Sequence, residues 1–364
     1  MTRRFFIKPM PAAATASSAI APGCQKLPRL GLVLLSVVLA AGLVPLRAGA
    51  QQSTAAAEAP LPLQPVQPVQ PARELRDCKN KLLTNLSRFW ELEEGSDCGT
   101  FGIRGYHPTS LSVIGSDSVN TQPSSPTADH TALVATPYGQ VETRIQLSVR
   151  TKIATGLLTQ GHERLRDSLW FGYTQQSYWQ LFNGELSRPF RTTDHEPEIT
   201  YIYPSEADLP GGWRLRYSGI SLVHQSNGQA LPLSRSWNRT VLMAGMEKGR
   251  NLRVMGRLWQ RLPESGADDD NPEISDTIGR AELAGFWDVN PFNTLGLTVR
   301  HSLTSTANGS YRLEWLKSFG DTDPRSSRNG LRFHTQLFSG FGDSLVDYNR
   351  RRTVLSVGLS LVEW

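Results

Sequence analysis

Between Val141 and Ile153 the chain sorts its side chains strictly by parity. Ile145, Leu147, Val149 and Ile153 share one face of an extended strand, and Glu142, Arg144, Gln146, Ser148, Arg150 and Lys152 share the other. Successive strand side chains point to opposite faces, so this period of two fits a strand and no helix. A face carrying three cations cannot enter a dry core without large desolvation costs. It can line the hydrogen-bonded interior of a barrel whose outer face meets lipid. Leu295, Leu297 and Val299 repeat the pattern against Thr294, Thr298 and Arg300, as do Leu331, Phe333 and Leu337 against Arg332, His334 and Gln336. Leu355, Val357, Leu359 and Leu361 form a last such run.

Twelve segments of this kind are expected, at about 107–115, 141–154, 168–182, 195–204, 213–226, 235–247, 250–262, 276–288, 292–303, 309–318, 330–342 and 352–363. The first and fourth carry the weakest patterns. No stretch after residue 50 is apolar enough for a membrane helix. The expected fold is all-β, a twelve-stranded antiparallel transmembrane β-barrel over 107–364. Loops with turn chemistry separate the strands, such as Pro263 to Pro272, and Glu247-Lys248-Gly249-Arg250 makes a tight joint. Trp170, Trp179, Trp213, Trp259 and Trp287 fall near strand ends, where interfacial aromatics are expected. The competing fold is a soluble β-sandwich, whose strands also alternate.

The N-terminal third reads differently. Arg3, Arg4, Lys8, Lys26 and Arg29 precede an apolar run from Leu30 to Val44, and Ala48-Gly49-Ala50 supplies an A-x-A cleavage pattern. Residues 1–50 therefore read as a signal peptide, with Met10 an alternative start. Residues 51–76 are rich in Ala, Pro and Gln and read as an extended, disordered linker. Cys78 and Cys98 remain beyond the cleavage site, and in an exported chain they are expected to form a disulfide. Between them, Leu82 to Leu92 has helical apolar spacing, so 77–106 is expected to form a small periplasmic cap. Trp364 closes a terminal strand with an aromatic residue.

The chemistry concentrates between His224 and Asn238. His224 and Ser226 lie two apart and share a strand face. If the chain turns and returns antiparallel, Asn238 comes beside His224 on that same face. A hydroxyl nucleophile, an imidazole base and a base-orienting amide are the parts of a serine hydrolase triad. The face they share also carries Ile220, Leu222, Leu242 and Ala244, so it is expected to look outward into lipid. That placement makes sense only for a substrate that comes from the membrane.

Several blocks, in this order, resemble the signature of the outer membrane phospholipase A family. They are YTQQSYWQL at 173–181, RPFRTTDHEPE at 188–198, HQSNG at 224–228, SRSWNR at 234–239, DDNPEI at 269–274 and SGFGDSLVDYN at 339–349. The resemblance runs from about 170 to the C-terminus. It implies a calcium-dependent hydrolase of phospholipid acyl esters (A1, A2 and lysophospholipase), in the bacterial outer membrane and active as a homodimer. By position it implies that Gly228 offers an oxyanion amide, that Gln229 and Ser234 ligate calcium, and that Ser187 of the partner subunit completes the site. Family members usually carry Arg at 229, but the ligand there is a backbone carbonyl. Asp270 matches a second calcium position whose partner carboxylate is replaced here by Leu231. Gln175 reads either as a dimer-interface amide or as a lumen residue.

The net charge of +5 includes the basic leader, so it lends no support to nucleic-acid binding. Six of the seven histidines, His107, His130, His162, His195, His301 and His334, have no serine two residues on and are expected in loops or the lumen. Two rivals stand beside the hydrolase: a porin-like channel, and an inactive structural or adhesive barrel.

Overall fold

In the computed structural model, residues 83–162, 164–266, 268–319 and 330–361 are described. The leader, the linker, Cys78 and Trp364 lie outside them. The strands are β1 (Ile103–Gly105), β2 (Thr109–Ser116), β3 (Val141–Thr155), β4 (Ser168–Trp179), β5 (Thr192–Pro204), β6 (Asp208–Leu209) and β7 (Trp213–Ser226). They continue with β8 (Ser236–Lys248), β9 (Leu252–Arg261), β10 (Ala281–Asn290), β11 (Asn293–His301), β12 (Gly309–Ser318), β13 (Leu331–Gly340) and β14 (Arg352–Leu361). Two short helices are α1 (Asn85–Trp90) and α2 (Ile274–Thr277).

Every pairing is antiparallel, and β3 bonds to β4 at one end of the order as well as to β2 at the other, so the sheet closes. Among the described residues the wall is a closed twelve-stranded barrel, with β1 and β6 as short additions to β3 and β7. Closure leaves no unpaired strand edge in the hydrocarbon layer, which a membrane barrel requires. All twelve expected strands are present. The one expected from 276 begins only at Ala281, because Ile274–Thr277 coil into α2 and bury Ile274 against Trp237 and Tyr348.

Parity sets what each face meets. Leu147, Ile199, Leu222, Leu242, Leu297 and Leu359 are exposed around the outside, while Arg144, Glu198, Arg253 and Arg332 are buried within. The interior is stitched by charge pairs, including Arg239–Glu196 at 2.7 Å and Arg300–Glu282 at 2.8 Å, and by a hydrogen bond between His334 and Glu314 at 3.1 Å. A cavity of about 230 Å³ remains among these groups. Trp170 and Trp259 do not belong to an interfacial belt. Each has inward parity, Trp170 is 1% exposed, and both pack inside the barrel. Trp287, of outward parity, is exposed.

The segment expected to cap the barrel reaches into it. Leu86, Phe89, Trp90 and Leu92 pack on Trp170, Tyr217, Val223, Val241 and Met243. Burying such large apolar side chains contributes about 1.5–3 kcal/mol each. Arg150 lies over the Phe89 ring at 3.6 Å, and Lys152 pairs with Glu91 and Asp97 at 2.6 Å each. The plug sits at the end with the shorter turns, where the Leu86 amide donates to Glu247 at 2.7 Å. Cys98 is disulfide-bonded.

At the opposite end long loops fold over the barrel. Trp237, Ile274, Ile278, Leu345 and Tyr348 form a second apolar cluster there. Beside it, Arg191 bonds Glu142 at 2.6 Å and Asp347 at 3.0 Å, and Arg352 bonds Asp347 at 3.1 Å. Burial pushes the Asp347 carboxyl up, but Arg191 and Arg352 outweigh it and hold it below the usual aspartate range.

Candidate active site

The β7–β8 pair runs in unbroken register from Tyr217 to Ser226, setting His224 directly opposite Asn238 and Ser226 opposite Ser236. Alternate residues anchor the pair from inside. Trp237 is fully buried and its indole Nε1 donates to Gln225 at 2.7 Å, and Arg239 stacks over Trp237 at 4.2 Å. With Gln225, Trp237 and Arg239 turned inward, His224, Ser226 and Asn238 must turn outward. His224 is exposed, beside exposed Leu222 and Leu242.

His224 Nδ1 and Asn238 Oδ1 are 2.9 Å apart. Asn238 Nδ2 donates to Glu264 Oε1 at 3.0 Å. A carboxylate only accepts, so the amide must present its oxygen to the imidazole, and Nδ1 carries the ring hydrogen. No hydrogen bond joins Ser226 Oγ to the imidazole in the free protein. Such contacts often tighten only with substrate bound.

The loop after Ser226 is clasped by Asn227, whose Nδ2 donates to Leu233 O at 2.7 Å and whose Oδ1 accepts from Arg235 N at 3.0 Å. Gly228 sits at φ +60°, a backbone region that favours glycine. A β-carbon there would come within 3.7 Å of the His195 ring. His195 pairs across the sheet with Ser226 and shares a 2.7 Å hydrogen bond with Tyr173 through Nδ1.

Ser234 Oγ donates to Asp270 Oδ2 at 2.8 Å, and Ser236 Oγ reaches the same oxygen at 3.1 Å. The other Asp270 oxygen meets His130 Nε2 at 2.9 Å. Gln229 donates its side-chain amide to Arg191 O at 3.0 Å, leaving Oε1 buried without a partner. Ser187 makes no hydrogen bond to any of these groups; its carbonyl accepts from Trp179 Nε1 at 2.8 Å. Leu231 is exposed. Gln175 has outward parity, pairs with Leu147 and His195, and donates to Ser177 Oγ at 3.2 Å. Among the described residues no three His, Cys, Asp or Glu side chains are grouped to hold a metal.

The structure thus brings together His224 with Asn238, as the strand spacing led one to expect, and Ser234 with Asp270, which the resemblance had assigned to two different calcium positions. Three neighbours escaped notice. His195, expected in a loop or the lumen, stands with outward parity on β5 opposite Ser226, and His130 reaches Asp270 from 140 residues away. Glu264 gave no signal, because nothing in a loop sequence tells which way it folds back over the preceding strand.

A closed barrel with an apolar outer band, a charged interior and a polar patch on its outer wall defines a bacterial outer-membrane β-barrel protein. Known proteins narrow the class. The phospholipase A1 family model matches residues 86–361. The chain is 38% identical over 284 residues to a candidate phospholipase A1 of Neisseria meningitidis serogroup B, covering 76% of this chain and 70% of that one. It is 33% identical over 223 residues to phospholipase A1 of Escherichia coli K12, covering 60% and 69%. The solved outer membrane phospholipase A of Escherichia coli matches with a TM-score of 0.62 at 28% identity, covering 72% of this chain and 99% of that one. A Salmonella typhi outer membrane phospholipase dimer with bound calcium matches with a TM-score of 0.61 at 28% identity, covering 72% and 93%. The chain belongs to the phospholipase A1 family.

Proposed function

We propose that the chain is a calcium-dependent phospholipase of A1, A2 and lysophospholipase activity, working as a homodimer through Ser226, His224 and Asn238. The observation that carries this reading is the His224–Asn238 hydrogen bond on a face that looks into lipid. With Nδ1–H committed to Asn238, the Nε2 lone pair is free to take the Ser226 hydroxyl proton. Ser226 Oγ attacks the acyl carbonyl carbon, and His224 returns the proton to the departing glycerol oxygen. Water then releases the fatty acid by the same base in a second half-reaction. Gly228 N–H is the candidate donor to the tetrahedral oxyanion, a role worth about 3–4 kcal/mol in comparable enzymes. An outward site takes its substrate sideways from the membrane.

Bound calcium would supply positive charge for the oxyanion. The donors available suit it, being all oxygen: the Gln229 carbonyl, the Ser234 hydroxyl beside Asp270, and Ser187 of the partner subunit. The orphaned Gln229 Oε1 is a further acceptor in want of a cation. A site shared between protomers links calcium to dimerisation by mass action. Gln175, a polar amide on the lipid face, is the candidate contact across the twofold axis.

The test is fatty-acid release from phospholipid in detergent micelles, with calcium or chelator, beside Ser226→Ala. Calcium-dependent release that vanishes in the variant is expected. Undiminished release by Ser226→Ala overturns the nucleophile.

A further inference from the structure

Asparagine in the third position of a triad has a weakness that aspartate lacks. Its amide can turn over, offering NH₂ in place of oxygen at nearly the same shape. Turned over, it would donate to Nδ1, drive the ring hydrogen to Nε2, and leave His224 unable to accept a proton from Ser226. Something outside the three residues must hold the amide.

We propose that Glu264 is a positioning residue for the hydrolase, fixing the Asn238 amide and through it the His224 tautomer. The inference rests on the triad assigned above. Glu264 Oε1 accepts from Asn238 Nδ2 at 3.0 Å, on the side of the amide away from the imidazole. Its other oxygen is held by Arg261 Nη2 at 2.9 Å, and Arg261 also bonds Asp269 at 2.6 Å and the Asn271 carbonyl at 3.1 Å. Leu262 N donates to Asn238 O at 2.8 Å, so the loop departs from β9 directly beside the residue it holds. The Glu264 side chain is 16% exposed, low for a loop carboxylate. The carboxylate that Ser-His-Asp enzymes place against histidine is here one residue further back.

The experiment measures kcat, KM and the pH profile of phospholipid hydrolysis with calcium for wild type, Glu264→Gln, Glu264→Ala and Glu264→Lys. Asn238→Ala, Asn238→Ala with Glu264→Ala, and Ser226→Ala complete the set, each checked for folding by heat-modifiable gel mobility. Glu264→Ala should lose about tenfold in kcat with KM nearly unchanged. Glu264→Gln, which can still accept from Nδ2, should recover most of the rate. Glu264→Lys can only donate, so it favours the inverted amide and should lose more than alanine does. In the Asn238→Ala background, removing Glu264 should cost nothing further. Wild-type kcat and pH profile in all three Glu264 variants, with Ser226→Ala inactive, overturns the proposal and leaves the triad standing. Equal losses in the alanine and glutamine variants also overturn it, marking Glu264 as structural. Activity surviving in Ser226→Ala instead removes the triad reading itself.

Discussion

His224 Nδ1 and Asn238 Oδ1 lie 2.9 Å apart across one rung of the β7–β8 ladder, fourteen residues apart in the chain. The rung is held from inside by Gln225 and Trp237, so its geometry belongs to the barrel wall and not to a loop. Residues on a rigid sheet keep their mutual placement, which suits a base and its orienting partner.

Ser226→Ala and His224→Ala should each lower kcat by about 10³-fold or more, and Asn238→Ala by less, since in the proposed mechanism it orients the base and transfers no proton. Steady-state release of fatty acid reads this directly. Comparable losses in all three would assign Asn238 a larger part than orientation.

Asp270 holds the Ser234 hydroxyl at 2.8 Å, and groups that orient ligands typically govern affinity by roughly 10–100-fold. Asp270→Asn should therefore raise the calcium needed for half-maximal activity by that factor while saturating calcium restores the rate. An unchanged calcium titration would remove Asp270 from the site.

Asp347 keeps a lowered carboxyl value because Arg191 and Arg352 outweigh its burial. A depressed acid contributes stability that is present above its unfolded value, near 3.8, and lost as pH falls through the folded one. Amide-exchange protection in 341–351, taken relative to the intrinsic rate at each pH, should hold at neutral pH and fall only below about pH 4. Asp347→Asn should abolish that dependence and destabilise the fold at neutral pH, by less than the loss of every partner would, because Arg191 keeps Glu142 and Arg352 keeps Glu142 and Asp343 at 3.7 Å each.

On the lipid face, Leu297→Arg should destabilise the folded barrel by about 2–4 kcal/mol, the usual cost of a cation near the membrane midplane. Reversible urea unfolding in vesicles measures it. A cost below 1 kcal/mol would argue that this face does not meet hydrocarbon.

Within the plug, Trp90 is 3% exposed and meets Phe89, Tyr106, Trp170 and Tyr217 edge-on or nearly so. Trp90→Ala should cost about 3–5 kcal/mol through the cavity it leaves. Thermal unfolding of the variant in detergent is the check.

Much of this architecture was legible because a membrane barrel writes itself locally. Lipid outside and charge inside force a period of two on every strand, so Val141 to Ile153 or Leu295 to Arg300 declares its face without reference to a neighbour. The same parity turned His224, Ser226 and Asn238 outward together once a hairpin was assumed. Parity also contained a warning that proximity to strand ends obscured. Trp170 and Trp259 share a face with inward residues of their strands, and they pack within the barrel accordingly. The strand expected from 276 starts only at Ala281, because one turn of helix over Ile274–Thr277 buries Ile274, with Ile278 buried just beyond it.

By itself, then, the sequence determined the strand pattern, the lipid-facing parity and the His-x-Ser spacing, all consequences of short-range geometry. Only the tertiary structure decided that α1 plugs the barrel, that His130 meets Asp270, and that Glu264 stands behind Asn238. Those contacts join segments through loops whose paths depend on packing and long-range hydrogen bonds, and no local periodicity encodes them.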